Sequence, residues 1–203
     1  MRAALLPLMT PLVLAATLGS VPALHAQTTQ GRADVPRTTN ETLPPVRPVD
    51  DVNLERYLGT WYEIARIPNR FQKKCTGDVM ARYAKRDDGR LDVVNSCTTA
   101  EGTVETRGVA RRARRDGPSS ILEVRFAPAI LSFLPAVWGD YWILDITPDY
   151  DSAVVGSPDR QYLWLLSRTP QVDQAAYARM VERARAQGFD VELLERTPQT
   201  GAP

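Results

Sequence analysis

The groups that carry most protein chemistry are scarce in this chain. Its 203 residues include one histidine, His25, and two cysteines, Cys75 and Cys97. His25 lies in an apolar N-terminal run that reads as a removable leader, so the mature chain is expected to lack imidazole. That excludes Ser/His/Asp and Cys/His catalysis, together with the zinc and iron sites that lean on histidine. No metal site and no cofactor is expected. The groups left for acid–base work inside a fold are Glu63, Tyr83, Asp140, Tyr141 and Asp145, and an isomerase or epoxidation-type enzyme would need one of them or a thiol. In an exported chain two cysteines are most simply a disulfide, worth about 3 kcal/mol on the chain-entropy estimate. With the thiols so used, no enzyme activity is expected.

These few groups depend for their position on the rest of the chain. Its 43% hydrophobic and 24% charged content suits one globular domain, and a net charge of +1 argues against a nucleic-acid partner. Residues 1–26 combine one basic residue, a Leu/Val/Ala run and small residues at Ala23 and Ala26. They read as a cleaved export signal, cut after Ala26 or, alternatively, Ala23. Pro7, Pro11 and Pro22 interrupt the run and no stop-transfer cluster follows, against a membrane anchor. No cysteine precedes Cys75, so a lipid anchor is not expected, and the product should be soluble in the periplasm or secreted. Residues 27–50, rich in Pro and Thr with almost no large apolar groups, read as a disordered linker. The domain is placed at 51–198 and a tail at 199–203.

From Leu58 to Ser167 the chain breaks into eight short alternating, β-branched or aromatic runs, at about 59–66, 77–86, 90–98, 103–114, 119–126, 140–146, 151–156 and 161–168. Turn signals such as Asp87-Asp88-Gly89 and Asp116-Gly117-Pro118 separate them. With no helix between the runs, the expected arrangement is an antiparallel meander. Eight strands suit a closed up-and-down barrel whose interior holds one small ligand. A helix follows, with Asp173 as N-cap, Tyr177, Met180, Val181 and Ala184 on one stripe, and Gly188 at its C-terminal end. It is expected to lie on the barrel wall, with a short outer strand within Phe189 to Glu195. A hairpin turning at Asp88-Gly89 sets Cys97 opposite roughly residue 79 or 80. Cys75 therefore comes within about 7 Å of Cys97 only if the chain ahead of Gly77 arches back over one barrel end.

Gly59-x-Trp61 at the head of the first strand, Asp149-Tyr150 between the sixth and seventh, and Arg168 closing the eighth resemble the three short conserved regions of the lipocalins. The resemblance covers roughly residues 52 to 197. "RYLGTWYEIARIPNRF", "GDYWILDITPDY" and "YLWLLSRTP" are similar to the bacterial, Blc-like lipocalin group, related to plant temperature-induced lipocalins and apolipoprotein D. It implies an all-β, eight-stranded antiparallel up-and-down barrel with one C-terminal α-helix outside. It also implies binding and transport or storage of small lipophilic ligands, in cell-envelope maintenance or stress response. By the family's pattern Gly59, Trp61, Asp149, Tyr150 and Arg168 are structural, with Trp61 plugging one end beneath the Arg168 guanidinium. Pro148, between Thr147 and Asp149, departs from the familiar form of the second region, and a wider turn is expected there.

Alternation along the strands points Ala65, Ala81, Tyr83, Val93, Asn95, Ala110, Leu122, Val124, Phe126, Tyr141, Ile143, Tyr162 and Trp164 inward. Small side chains on one wall and aromatics on the other suit an acyl chain, at about 0.8 kcal/mol per buried methylene. A fatty acid or lysophospholipid is the expected partner. At the end away from Trp61, Arg70, Lys73 and Lys74 form a cationic rim for a head group. The 127–138 loop, with Phe133 and Trp138, is either a lid on the mouth or a peripheral membrane contact. Arg111, Arg112, Arg114 and Arg115, near the plugged end, read as a solvated hairpin tip. For the oligomeric state, monomer and dimer both stay open.

Overall fold

Period-two alternation of apolar and polar residues produces eight consecutive strands in the computed structural model, which describes residues 43–200. They are β1 Gly59–Arg66, β2 Gly77–Lys85, β3 Leu91–Thr99, β4 Gly102–Arg112, β5 Ile121–Arg125, β6 Gly139–Ile146, β7 Ser152–Gly156 and β8 Leu163–Ser167. Each pairs antiparallel with the next, and β1 pairs with both β8 and β2, so the sheet closes into the expected barrel. Two short helices complete the domain, α1 Leu54–Tyr57 and α2 Gln174–Ala186. The expected signal peptide and residues 27–42 lie outside the described residues.

The inward side chains form one apolar cluster around Trp61, Tyr57, Tyr83, Val93, Ile143 and Val155. The outer faces of β1, β6, β7 and β8 form a second cluster with Met180, Ala184 and Phe189 of the helical segment. α2 begins where Asp173 caps the Ala176 amide at 2.6 Å. It ends in a Schellman motif: Gly188, at φ +79°, donates to Arg185 O, and Phe189 donates to Ala184 O while packing beside Ala184. The helix therefore lies on the wall, as its single stripe requires, and Arg183 reaches Asp145 of β6 at 3.6 Å.

The register shifts at three places, one of them in β2 between Gly77 and Met80. In β1 the register shifts between Glu63 and Ala65, so Ile64 and Ala65 both face the helix and Arg66 turns back inward opposite Trp164. In β6 the shift between Ile143 and Asp145 sends Leu144 outward and returns Ile146 to the interior.

The seam between β1 and β2 is incomplete. These strands pair only from Gly59–Tyr62 to Met80–Tyr83. Above that, the C-terminal segment fills the space. β9, Glu195–Arg196, pairs with Ala65 and Arg66, and the Thr197 amide donates to Ile64 O at 3.0 Å. The Asp78 amide of β2 donates to Pro198 O at 2.8 Å, and Gln199 Nε2 bridges the Glu63 and Val79 carbonyls at 2.9 Å each. Thr200 donates twice to Asp78 Oδ1. Residues 199 and 200, expected as tail, thus belong to the barrel.

A second correction concerns residues 43–50, expected as disordered linker. Val46 is buried in the outer cluster, Arg47 and Gln187 exchange hydrogen bonds of 2.9 and 2.8 Å, and the Val49 amide donates to Ile143 O. A proline-rich segment has few amides to satisfy, and here those of Arg47 and Val49 find partners while Val46 supplies apolar contact.

Candidate ligand cavity

Glycine at 59 permits φ +92° and leaves room for Arg168, whose Nη1 would sit 3.4 Å from a Cβ at that position. The Arg168 guanidinium carbon lies 3.9 Å from the centroid of the Trp61 ring. Its Nη1, Nη2 and Nε donate to the carbonyls of Thr60 at 2.8 Å, Arg56 at 2.7 Å and Tyr150 at 3.3 Å. Trp61 Nε1 donates to Tyr57 O at 2.8 Å, so the wholly buried indole closes one end with no unmet polar group. The turn carrying Asp149 and Tyr150 is tight rather than wide: Tyr150 N donates to Thr147 O at 2.9 Å, and Thr147 Oγ1 accepts from the Asp151 and Ser152 amides. Proline is at home at the second position of such a turn. The Tyr150 hydroxyl accepts from the Asn53 amide at 2.8 Å, tying the turn to the start of α1.

Above the plug, Tyr57 and Tyr83 each hydrogen-bond the Tyr141 hydroxyl at 2.8 Å. Burial pushes the Tyr83 phenol up to about 12 and drives Tyr57 and Tyr141 well above the ordinary phenol range. All three stay protonated at neutral pH, so the floor is uncharged. Of the other candidate acid–base groups, Asp140 and Asp145 face outward. Burial, then Glu123 and Asp159, raises Asp140; burial raises Asp145, opposed by Arg183. Glu63 points inward but is fully engaged, accepting from Arg66 Nη1 at 2.7 Å, Thr197 Oγ1 at 2.5 Å and Gln72 Nε2 at 2.6 Å.

The walls contain most of the residues that alternation pointed inward. Tyr83, Val93, Ala110, Leu122 and Ile143 are buried, and Ala81, Val124, Tyr141 and Trp164 pack against the interior cluster. Asn95 shares the inward face, in register with Ala81 and Thr106, and its Oδ1 is buried without a partner. Tyr162 stacks on Trp164 at 5.9 Å and meets Phe71 at 5.7 Å near the mouth. Phe126 reaches the rim, 42% exposed, over Gly108, where a Cβ would fall 2.6 Å from its ring. Ala65 is the exception. The bulge puts it under α2 with no exposed surface, so it leaves no room for a ligand. Sequence reasoning missed Arg66, Gln72 and Thr197, which join Glu63 in one polar group at the neck. Glu63 follows Trp61 by two residues and so was readable; the bulge hid Arg66.

At the mouth, Gln72 Oε1 accepts from Trp164 Nε1 at 3.0 Å, so the β1–β2 loop folds over the opening. The Cys75–Cys97 disulfide fixes it to β3, with Cα atoms 5.6 Å apart, and the Thr76 amide donates to Thr98 O. The loop does arch back as that bridge demands. Arg70, Lys73 and Lys74 are exposed on it, with Arg70 over the Phe71 ring at 4.9 Å. The 127–138 loop does not pack into the mouth: Ile130 and Phe133 are 80% and 74% exposed. Trp138 needs correction as a mouth residue. It lies against the outer wall, 3.8 Å beneath Arg111 and 5.3 Å from Arg125, with Nε1 donating to Ser132 O. Arg111, held also by Glu123 at 2.9 Å, is accordingly not part of a free hairpin tip.

Residues 52–199 match the family described as Lipocalin-like domain. The chain belongs to the lipocalins. Among curated proteins, this lipocalin is 42% identical over 156 residues to temperature-induced lipocalin-1 of Arabidopsis thaliana, spanning 76% of this chain and 83% of that one. It is 36% identical over 154 residues to the outer membrane lipoprotein Blc of Escherichia coli (strain K12), with the same coverages. Among solved structures, apocrustacyanin C1 overlays with a TM-score of 0.58 at 15% identity, over 74% of this lipocalin and 81% of that chain, a likeness of fold alone.

Proposed function

We propose that this lipocalin binds and carries fatty acids or lysophospholipids in its barrel, without a covalent step. Lipocalins bind small hydrophobic ligands. The observation that supports the finer reading is the asymmetry of the barrel: one end sealed by Trp61, Arg168 and the uncharged tyrosine floor, the other framed by apolar side chains and Arg70, Lys73 and Lys74. An acyl chain entering such an interior gains about 0.8 kcal/mol per buried methylene before ordering costs, so chain-length selectivity should be loose. We place the protein in the periplasm or outside the cell, serving envelope maintenance under stress. The Escherichia coli relative is named a lipoprotein, whereas Cys75 and Cys97 are joined in a disulfide here and neither is free to carry a lipid, and we propose a soluble form. Delipidated protein titrated with a fluorescent fatty acid should show saturable binding, and mass spectrometry of the protein as purified should show bound lipid. Failure of both refutes the proposal.

A membrane-surface role is a second reading. Ile130 and Phe133 are large apolar side chains left mostly exposed between β5 and β6, and the basic residues of the β1–β2 loop share that end of the barrel. Ligand would then be exchanged directly with a bilayer.

A further inference from the structure

We infer that the outer wall of the barrel carries a phosphate-binding notch, with Arg125 and Arg107 as the groups that hold the oxyanion. The notch lies outside the ligand chamber, so the inference stands apart from lipid carriage.

Arg125 ends β5 on the outward face, where the residue is only 6% exposed. A buried guanidinium ordinarily meets a carboxylate or several carbonyls. Arg66 has Glu63, and Arg168 has three carbonyls and the face of Trp61. Arg125 has less. Its Nη1 donates to Ala127 O, its Nε is buried with no partner, and its Nη2 makes no hydrogen bond among the described residues. An unmet Nε alone decides nothing, since Arg66 Nε and Trp142 Nε1 are buried in the same way. What sets Arg125 apart is its charge.

Arg111 and Arg125 both lie against the Trp138 ring, at 3.8 and 5.3 Å from its centroid. One carboxylate serves the two: Glu123 holds Arg111 at 2.9 Å. Asp140, opposite Glu123 on β6, pairs with neither arginine among the described residues. The cluster around Trp138 is left with one cation in excess, in surroundings that water screens poorly.

That charge meets an opening. A notch of about 370 Å³ lies between β4 and the segment after β5, lined by Arg107, Val109, Arg125, Phe126 and Pro128, with Asp92 also on its wall. Arg107 adds a second guanidinium, 77% exposed and held by Glu105 at 3.2 Å. Asp92 does not supply the missing anion, because its carboxylate already accepts from Arg86 Nη1 at 2.6 Å. Among the described residues, Arg125 is the charge of the notch left without a counterpart. A tetrahedral phosphate suits it, since its oxygens can accept from two guanidinium groups at once. Val109, Phe126 and Pro128 offer apolar surface to the organic part of a phosphate ester. A phospholipid head group and a small phosphate ester present the same chemistry there.

The test is calorimetric titration of the delipidated protein, at neutral pH and low salt, with inorganic phosphate, glycerol 3-phosphate and dihexanoylphosphatidylglycerol below its micelle concentration. The first two have no acyl chain and cannot report on the chamber. Glycerol 3-phosphate should bind saturably with a Kd of about 1 mM or tighter, and Arg125→Met and Arg107→Gln should each weaken it about fivefold or more. Arg107 is exposed, so Arg107→Gln keeps the test open if Arg125→Met does not fold. Arg115→Gln, in the exposed β4–β5 turn, should leave affinity within about twofold. Tighter binding of the phosphatidylglycerol, lost in Arg107→Gln, assigns the site to lipid head groups; equal binding of the two esters assigns it to small phosphates. No saturable binding of glycerol 3-phosphate or inorganic phosphate overturns the inference. An equal loss in Arg115→Gln also overturns it, because the attraction would then be to overall charge. Neither failure touches lipid carriage, which the fatty-acid titration reads separately.

Discussion

Arg168 stacks on Trp61 at 3.9 Å and, from the same position, donates to three carbonyls belonging to α1, β1 and the β6–β7 turn. The pair is a joint where three chain segments meet beneath the barrel. Arg168→Ala strips the indole of its cover and leaves three carbonyls unmet, for a loss of about 2–4 kcal/mol in urea unfolding. Arg168→Lys keeps the charge but not the planar fork, and should recover less than half of that loss.

The tyrosine floor sets an alkaline limit. Tyr83 has its folded pKa raised to about 12, and burial also raises Tyr57 and Tyr141 well above their ordinary value, whereas an exposed phenol titrates near 10. The folded state thus holds these protons after the unfolded chain has begun to lose them. Their contribution is complete below about pH 10 and declines as pH rises through the folded values. Melting curves should be flat in this respect from neutral pH to about 10 and fall steeply beyond it, and Tyr141→Phe should shift that limb.

The Cys75–Cys97 bridge spans 22 residues and pins the mouth loop. Cys75→Ser should cost about 3 kcal/mol, roughly 6–12 °C in Tm for a domain of this size. A structural bridge predicts that lipid titration at low temperature still gives saturation; loss of binding with unchanged Tm would instead point to a functional thiol.

Ile130→Ser together with Phe133→Ser should abolish sedimentation with anionic vesicles while leaving affinity for a soluble lipid probe within about twofold. Trp138 does not belong in that variant. Clamped under Arg111 and Arg125, it holds the loop to the outer wall, and replacing it would confuse docking with folding.

What could be read from the chain follows from periodicity. The eight strands and α2 stand out because each repeats long enough for a period of two or 3.6 to emerge, and their observed ends fall within two residues of expectation. Ala65 was misplaced because a bulge is a single unpaired residue, invisible in the run "YEIAR", where apolar Ile64 and Ala65 adjoin. The same event concealed Arg66, so the polar centre of the neck was lost while the apolar walls were found. Glu195 to Thr200 is polar and aperiodic, and its place in the barrel comes from partners over a hundred residues away. Residues 43–50 were misjudged for a related reason: low hydrophobicity predicts weak self-association, but docking needed only Val46 and a few satisfied amides.

The C-terminal segment that fills the β1–β2 seam has a consequence for the order of events during biogenesis. Gln199 ties to Glu63 and Val79 across 136 and 120 positions, so β1 is completed by residues made long after it. Contacts of such sequence separation form late, because the closure entropy of the whole intervening chain stands against them. A nascent or prematurely terminated chain therefore has an open slit down one side, flanked by unpaired strand edges. Vectorial synthesis cannot finish this barrel piecemeal; the slit between β1 and β2 closes only once Glu195–Thr200 has been made and returns to strands laid down more than a hundred residues earlier.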